Sequence, residues 1–174
     1  MTTAWTDAEF EDLSWHDCTL WGLAFHPPDP ETGDWTRDLV LDIDFIVEWL
    51  CAAGSEGRIQ FRVAPAILRF HTVSDLRIAI EWGTTGVLLH EVSIDRLERE
   101  PVSAAPGQRP SHRWRIVLNW PRSGEIAFDA AGFTQTLRAE PIVTERQSLT
   151  FGADAGPGAS FPRRRPRGRP GRTD

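Results

Sequence analysis

Apolar residues recur at every second position in several separate stretches of this 174-residue chain. The clearest is "LVLDIDFIV" at 39–47, in which all the odd positions are apolar. The same alternation returns in four other stretches, at 59–63, 76–82, 114–120 and 126–128. Because successive side chains of an extended strand point to opposite faces, this alternation predicts strands with one buried face and one solvated face.

Helical patterns are rare between these stretches, which disfavours a fold in which helices alternate with parallel strands. The segment from Thr6 to Glu9, "TDAE", predicts a capping box at the start of a short helix. The sequence therefore predicts an all-β, or β-rich α+β, fold. We expect a mostly antiparallel sandwich or open barrel with a short N-terminal helix.

Some strands are less regular. In 18–26 we expect Trp21, Leu23 and Phe25 to share one face, with the prolines at 27–30 ending the strand. The stretch at 64–75 predicts a short strand and a turn, with Pro65 at a strand start or a sheet edge. A further strand is expected at 86–94, and the following "SIDRLERE" fits either a strand or a helical turn.

The composition changes after residue 151. Residues 152–174 are rich in Arg, Pro and Gly, with six Arg and two Asp, and they lack an apolar pattern. The rest of the chain carries 13 Arg against 23 Asp and Glu, a net charge of −10. We predict a single acidic β-rich domain at 1–151 and a disordered basic tail at 152–174. The chain contains no Lys, which excludes a Schiff-base lysine and a P-loop lysine.

Two features bear on the cellular compartment. No apolar stretch approaches the ~20 residues of a membrane helix, and "MTTAWTDAEFEDL" lacks the basic start and apolar centre of a signal peptide. Only two cysteines are present, Cys18 and Cys51. These features predict a cytoplasmic protein with reduced thiols and no membrane partner.

Four short elements carry a resemblance: "WHDCTLWGL" at 15–23, "LDIDFIVEW" at 41–49, "VAPAILRF" at 63–70 and "GFTQ" at 132–135. Together they resemble a family of small bacterial proteins with no assigned function, over roughly residues 10–150. Some proteins with this appearance resemble immunity or accessory proteins of bacterial toxin loci. The resemblance implies a bacterial protein and transfers no catalytic residues.

Asp42 and Asp44 lie two positions apart in the first of the strand patterns. On one strand face their carboxylates would be ~6.5–7 Å apart, which lets both reach a single divalent cation. The alternative is pairing with an arginine across a strand. Arg62, Arg77, Arg115 and Arg138 fall on the outward faces of other predicted strands.

The stretch "WHDC" is the second candidate. His16 and Asp17 begin the first predicted strand, and a His that fixes a turn is the alternative to a His in a chemical site. The candidate site is therefore His16 and Asp17 beside Asp42 and Asp44. The remaining histidines form no metal-ligand spacing, and the nucleophile-elbow, dinucleotide-binding and CxxC motifs are absent.

Six of the eight tryptophans fall into two groups. Three are in phase with predicted core positions: Trp82, Trp114 and Trp120. Three others lie at predicted strand ends or in loops, where an indole either packs or lines an interface: Trp15, Trp35 and Trp49.

Taken together, these patterns predict a non-enzymatic binding or accessory module that presents an acidic surface to a basic protein partner. The resemblance implies that this module is immunity-like. It would need neither cofactor nor metal. The alternative is a metal-dependent hydrolase that uses the His/Asp site with Mn²⁺, Mg²⁺ or Zn²⁺. Binding of nucleic acid through the Arg-rich tail is a third hypothesis.

Overall fold

The structure, a computed structural model, describes residues 4–51, 59–82, 91–102 and 111–149. These residues form ten strands and one short 3-10 helix, Asp7–Asp12. The strands are β1 (Ala4–Thr6), β2 (Thr19–His26), β3 (Asp38–Cys51), β4 (Ile59–His71), β5 (Ser74–Ala79), β6 (Val92–Val102), β7 (Ser111–Trp120), β8 (Glu125–Ala130), β9 (Gly132–Leu137) and β10 (Ile142–Thr144).

All the strand pairings in the described part of the chain are antiparallel. The order is β1-β9-β4-β3-β2-β6-β7-β8-β5, with β10 also paired to β4, and this path does not close into a barrel. The two halves of the sheet nevertheless share one core, since Phe70 of β4 packs against Phe128 of β8 with ring centroids 4.7 Å apart. The predicted all-β, antiparallel fold is confirmed.

Strand β3 carries the alternation that dominates the sequence. Its residues Leu39, Leu41, Ile43 and Phe45 are all buried in the core. The register with β4 shifts between Ile46 and Glu48, which marks a bulge. The apolar face of this strand was therefore predicted correctly.

Strand β4 is one long strand, Ile59–His71, so the predicted short strand with Pro65 at its start or at a sheet edge is wrong. Pro65 lies opposite Asp44 of β3, and its carbonyl accepts a hydrogen bond from the Arg138 N–H at 2.7 Å. The carbonyl and nitrogen of a strand residue face the same side. The Pro65 nitrogen, which carries no hydrogen, therefore faces the junction at which β4 changes its partner from β10 at 61–63 to β9 at 66–71. A proline is tolerated there because the ladder is already interrupted.

Strand β2 differs from its prediction at Trp21. The register with β3 shifts between Leu20 and Gly22, so Trp21 is the extra residue of a bulge. Leu20 is buried, Leu23 packs against the core, and Phe25 is exposed. Leu23 and Phe25 share a face, opposite Leu41 and Leu39 of β3, whereas the bulge directs Trp21 to Asp44. The predicted shared face is therefore wrong for Trp21.

The short N-terminal helix begins with the predicted capping box. Glu9 accepts a hydrogen bond from the Thr6 N–H at 2.7 Å, and Thr6 Oγ1 accepts one from the Ala8 N–H at 3.3 Å. The helix is a 3-10 helix whose Phe10 packs edge-on against Trp114 at 5.5 Å. Its role is to cover the end of the core.

Other expectations had mixed outcomes. The "SIDRLERE" stretch lies in β6, so the helical alternative is wrong. Trp120 is 40 % exposed, so its expected place in the core is also wrong. The terminal strands β1 and β10 were not predicted. Most of the predicted strand at 86–94 and the whole of the tail at 152–174 lie outside the described residues. No helix among the described residues is long and apolar enough to cross a membrane.

Candidate functional site

An open cleft with a volume of about 1020 Å³ lies where β2 begins and β7 ends. One wall is the segment 145–149, which follows β10. The lining residues are Asp17, Thr19, Trp21, Phe61, Glu91, Ser93, Asn119, Trp120, Glu145, Arg146, Gln147, Ser148 and Leu149. Ligand sites are typically concave surfaces that combine apolar walls with a few placed polar groups, so this cleft is the candidate functional site.

Asp17 is held between two neutral amides at the cleft. Its Oδ1 accepts a hydrogen bond from Asn119 Nδ2 at 2.7 Å, and its Oδ2 accepts one from Gln147 Nε2 at 2.8 Å. Its backbone φ of 62° is in the left-handed region, which Asp tolerates better than most residues. The Asp17 N–H also donates to the Ile94 carbonyl at 2.8 Å, so this turn is joined to β6.

Asp44 is bonded to the same segment, 145–149, that forms one wall of the cleft. It is only 2 % exposed. Its Oδ2 accepts hydrogen bonds from Trp21 Nε1 and from the Leu149 N–H, both at 2.7 Å. Asp17 and Asp44 are therefore linked through the segment 145–149, one at Gln147 and the other at Leu149. The bulge at Trp21 is what aims the indole at Asp44.

Burial raises the pKa of Asp44 above its ordinary value, against the hydrogen bonds from Trp21 and Leu149, which lower it. Burial likewise raises the pKa of Asp42, and the positive charge of Arg138 opposes that rise. In both cases the loss of hydration outweighs the favourable partners.

Asp42 does not line the cleft. Its Oδ1 accepts a hydrogen bond from Arg138 Nη2, which reaches it from the end of β9 across β4. This is the ion pair between an outward aspartate and an arginine that the alternative reading of the sequence predicted. Asp44, by contrast, makes its hydrogen bonds to an indole and a backbone N–H.

His16 lies at the rim, beside Asp17. Its Nδ1 is 3.2 Å from the Asp95 carbonyl oxygen, and its Nε2 is 3.6 Å from Asp17 Oδ2. The ring stacks on Trp49 with centroids 6.3 Å apart and an interplanar angle of 18°. The four candidate residues do not form one site. Asp17 and Asp44 both bond the segment 145–149, and His16 lies next to Asp17. Asp42 instead pairs with Arg138.

The tryptophans proposed for an interface are also divided. Trp15 is buried in the core, where its Nε1 donates to Gln135 Oε1 at 2.8 Å, and it leaves the candidate interface for that reason. Trp35 is 70 % exposed and does not line the cleft. Trp49 is 43 % exposed and packs edge-on against Phe61, a lining residue, at 5.0 Å.

The aromatic lining of the cleft is supplied by Trp21, Trp120 and Phe61. Its charged lining consists of three carboxylates, Asp17, Glu91 and Glu145, and one guanidinium, Arg146. Glu91 is exposed and accepts a long hydrogen bond of 3.4 Å from Ser148 Oγ. The cleft therefore combines negative charge with indole faces.

On the neighbouring strands the charges are compensated. Arg115 of β7 bonds both Glu98 of β6 and Glu125 of β8, and Arg113 bonds Asp129 through two nitrogens. These exposed networks carry little net field. The cleft differs from these networks because its lining has three carboxylates and one guanidinium.

The chemical reach of the site is narrow. No three His, Cys, Asp or Glu side chains in the described ranges are placed to hold one metal ion, so the hydrolase hypothesis has no ligand set there. Cys18 is fully buried, and burial raises the pKa of its thiol to about 12. A thiol with this pKa stays protonated near neutral pH and is a poor nucleophile.

Several lining residues were not identified from the sequence. Asn119, Gln147 and Leu149 belong to no motif, and only the folded chain brings them to Asp17 and Asp44. Trp120 was assigned to the core because it continues an alternating pattern, and Trp21 was expected only to share a face with Leu23 and Phe25. The one sequence signal for an aromatic cleft was the high number of tryptophans, eight in all.

Comparisons with known proteins give no relative. No protein-family model matches the chain, no curated protein matches it significantly, and no solved structure matches it. The resemblance to small bacterial proteins therefore stays a prediction.

Proposed function

We propose that this protein is a non-enzymatic binding or accessory module of the bacterial cytoplasm, immunity-like in character, which takes a basic segment of a protein partner into its cleft. The observation that carries the proposal is that carboxylates and indoles line the same concave surface, which includes Asp17 and Glu91 as well as Trp21 and Trp120. Guanidinium and ammonium groups bind carboxylates by charge and indole faces by cation–π attraction.

The lining fits recognition better than chemistry. Asp17 is fixed by two amides, and Asp44 has both of its described hydrogen bonds inside the protein. Residues held in this way keep the walls of the cleft in place. Glu91 and the half-exposed Trp120 are positioned for contact with a ligand.

The test is the binding of a fluorescent octa-arginine peptide to the full-length chain with Arg→Gln at the six arginines of residues 152–174, so that the chain's own arginines do not compete with the peptide. Binding is measured by anisotropy at low salt. We expect Glu91→Gln to weaken binding by up to about fivefold, since a single exposed ion pair contributes ~0.2–1 kcal/mol. Trp120→Ala should weaken it about tenfold or more, as truncation of a tryptophan at an interface does.

Each substitution has a matched control on the same chain. Glu100→Gln removes the same charge from an exposed position at the far end of β6, and Trp35→Ala removes an exposed indole outside the cleft. Both controls should bind octa-arginine as tightly as the chain without these substitutions. Equal losses in the controls and the cleft variants would show that the cleft is not the binding site.

A further inference from the structure

We propose that the arginine-rich C-terminal tail, residues 152–174, is an intramolecular occupant of the cleft and competes with a basic partner for it. This inference rests on the proposed function, because it assigns a second ligand to the same site. Three properties of the chain support it: where the tail starts, how far it reaches and what charge it carries.

The last described residue before the tail, Leu149, lines the cleft. The described chain ends at Leu149, whose N–H is bonded to Asp44, and Gln147 is bonded to Asp17. The segment that carries these two bonds is one wall of the cleft. Whatever follows residue 149 is therefore tethered at the site itself.

The reach of the tail matches this location. The first arginine cluster, at 163–165, follows Leu149 by 14 residues. A flexible linker of that length has an average end-to-end distance of about 20 Å. Short tethers of this kind give effective concentrations in the millimolar range, so even weak binding of the tail would be substantially populated.

The charge and chemistry of the tail complement the cleft. The tail has six Arg and two Asp, whereas the rest of the chain has a net charge of −10. All six cations are guanidinium groups, which pair with carboxylates in a planar fork and stack on aromatic faces. Glu91 and Trp120 supply one group of each kind.

The consequence is a competition built into the chain. A basic partner must displace the tail, so its apparent affinity is lowered by the fraction of molecules in which the cleft is occupied. The tail would then set a threshold that excludes weakly basic proteins. A strongly basic partner would still bind.

The experiment titrates a labelled synthetic peptide of residues 152–174 into three full-length chains. The first is unmodified, the second carries Arg→Gln at all six tail arginines, and the third adds Glu91→Gln to the second. We expect the second chain to bind the peptide at least tenfold more tightly than the first, and the third to bind it several-fold more weakly than the second. Equal affinity of the first two chains, or no binding by the second, would overturn the proposal.

Octa-arginine separates this inference from the proposed function. One such result is that octa-arginine binds the second chain while the tail peptide does not. Another is that the tail peptide binds the first two chains equally. In either case the tail is not the occupant of the cleft, and the proposal that the cleft binds a basic segment is unaffected. The tail arginines would then serve another partner, such as the phosphates of a nucleic acid. If octa-arginine fails to bind the second chain, the proposed function itself is wrong.

Discussion

Both described hydrogen bonds of Asp44 are accepted by one carboxylate oxygen, Oδ2. Substitutions can therefore test its role as a hydrogen-bond acceptor separately from its negative charge. Asn at this position keeps one oxygen for the donors Trp21 Nε1 and Leu149 N–H, whereas Ala keeps none. We expect Asp44→Ala to lower the free energy of unfolding by about 2 kcal/mol or more, because two donors lose their partner. Asp44→Asn should stay close to the unmodified protein at neutral pH. Urea unfolding measures both, and equal losses in the two variants would contradict this assignment.

The pH dependence of stability follows from the same side chain. Burial raises the pKa of Asp44 above its ordinary value of 3.8, so the folded state binds the proton more tightly than the unfolded state. Stability from this group is fully present below pH 3.8 and is lost as the pH rises through the raised pKa of the folded protein. The unfolding free energy of the unmodified protein, minus that of Asp44→Asn, should therefore fall between acidic and neutral pH. A difference that grows with pH would show that the carboxylate is stabilised by folding.

At the scale of elements, the sequence predicted what depends on local alternation and missed what depends on distant contacts. The buried face of β3 and the capping box at Thr6 were predictable because period-two alternation and capping are local. The position of Pro65 within its strand was predicted wrongly, because β4 accommodates a proline only at the junction between β9 and β10. Those two strands lie more than 65 residues later in the sequence. The cleft was not predicted for the same reason, since Asp17 and Gln147 are bonded across 130 positions of sequence.

The turn between β7 and β8 gives a prediction at this scale. A Cβ at Gly124 would lie 2.6 Å from Cδ1 of the buried Leu118 and 3.0 Å from the Pro121 carbonyl oxygen. Gly124→Ala should therefore cost about 1–3 kcal/mol through overpacking. Gly33→Ala is the matched control, since Gly33 has a φ of +72° and no neighbour within 4 Å of the added Cβ. Thermal unfolding should show a larger loss for Gly124→Ala, and the reverse order would mean that backbone conformation outweighs packing.

Across the whole molecule, the charges are distributed unevenly. The acidic excess belongs to residues 1–151, and the six arginines of the tail follow at its end. Arginines within the sheet are used in local pairs, such as Arg138 with Asp42 and Arg62 with Glu48. A chain arranged in this way attracts cations from a distance, while the contacts that hold them depend on the cleft.

This division predicts that charge and aromatic contacts act on different rate constants. In the chain with neutral tail residues, the association rate of octa-arginine should fall steeply as salt rises, because the long-range attraction is screened over a Debye length of ~8–10 Å at ~0.1–0.15 M salt. Glu91→Gln should lower the association rate and flatten its salt dependence. Trp120→Ala should leave association nearly unchanged and speed dissociation about tenfold or more, since the indole acts only after docking. Stopped-flow fluorescence measures both constants. An association rate that does not respond to salt would exclude electrostatic attraction, and recognition would then rest on the aromatic lining alone.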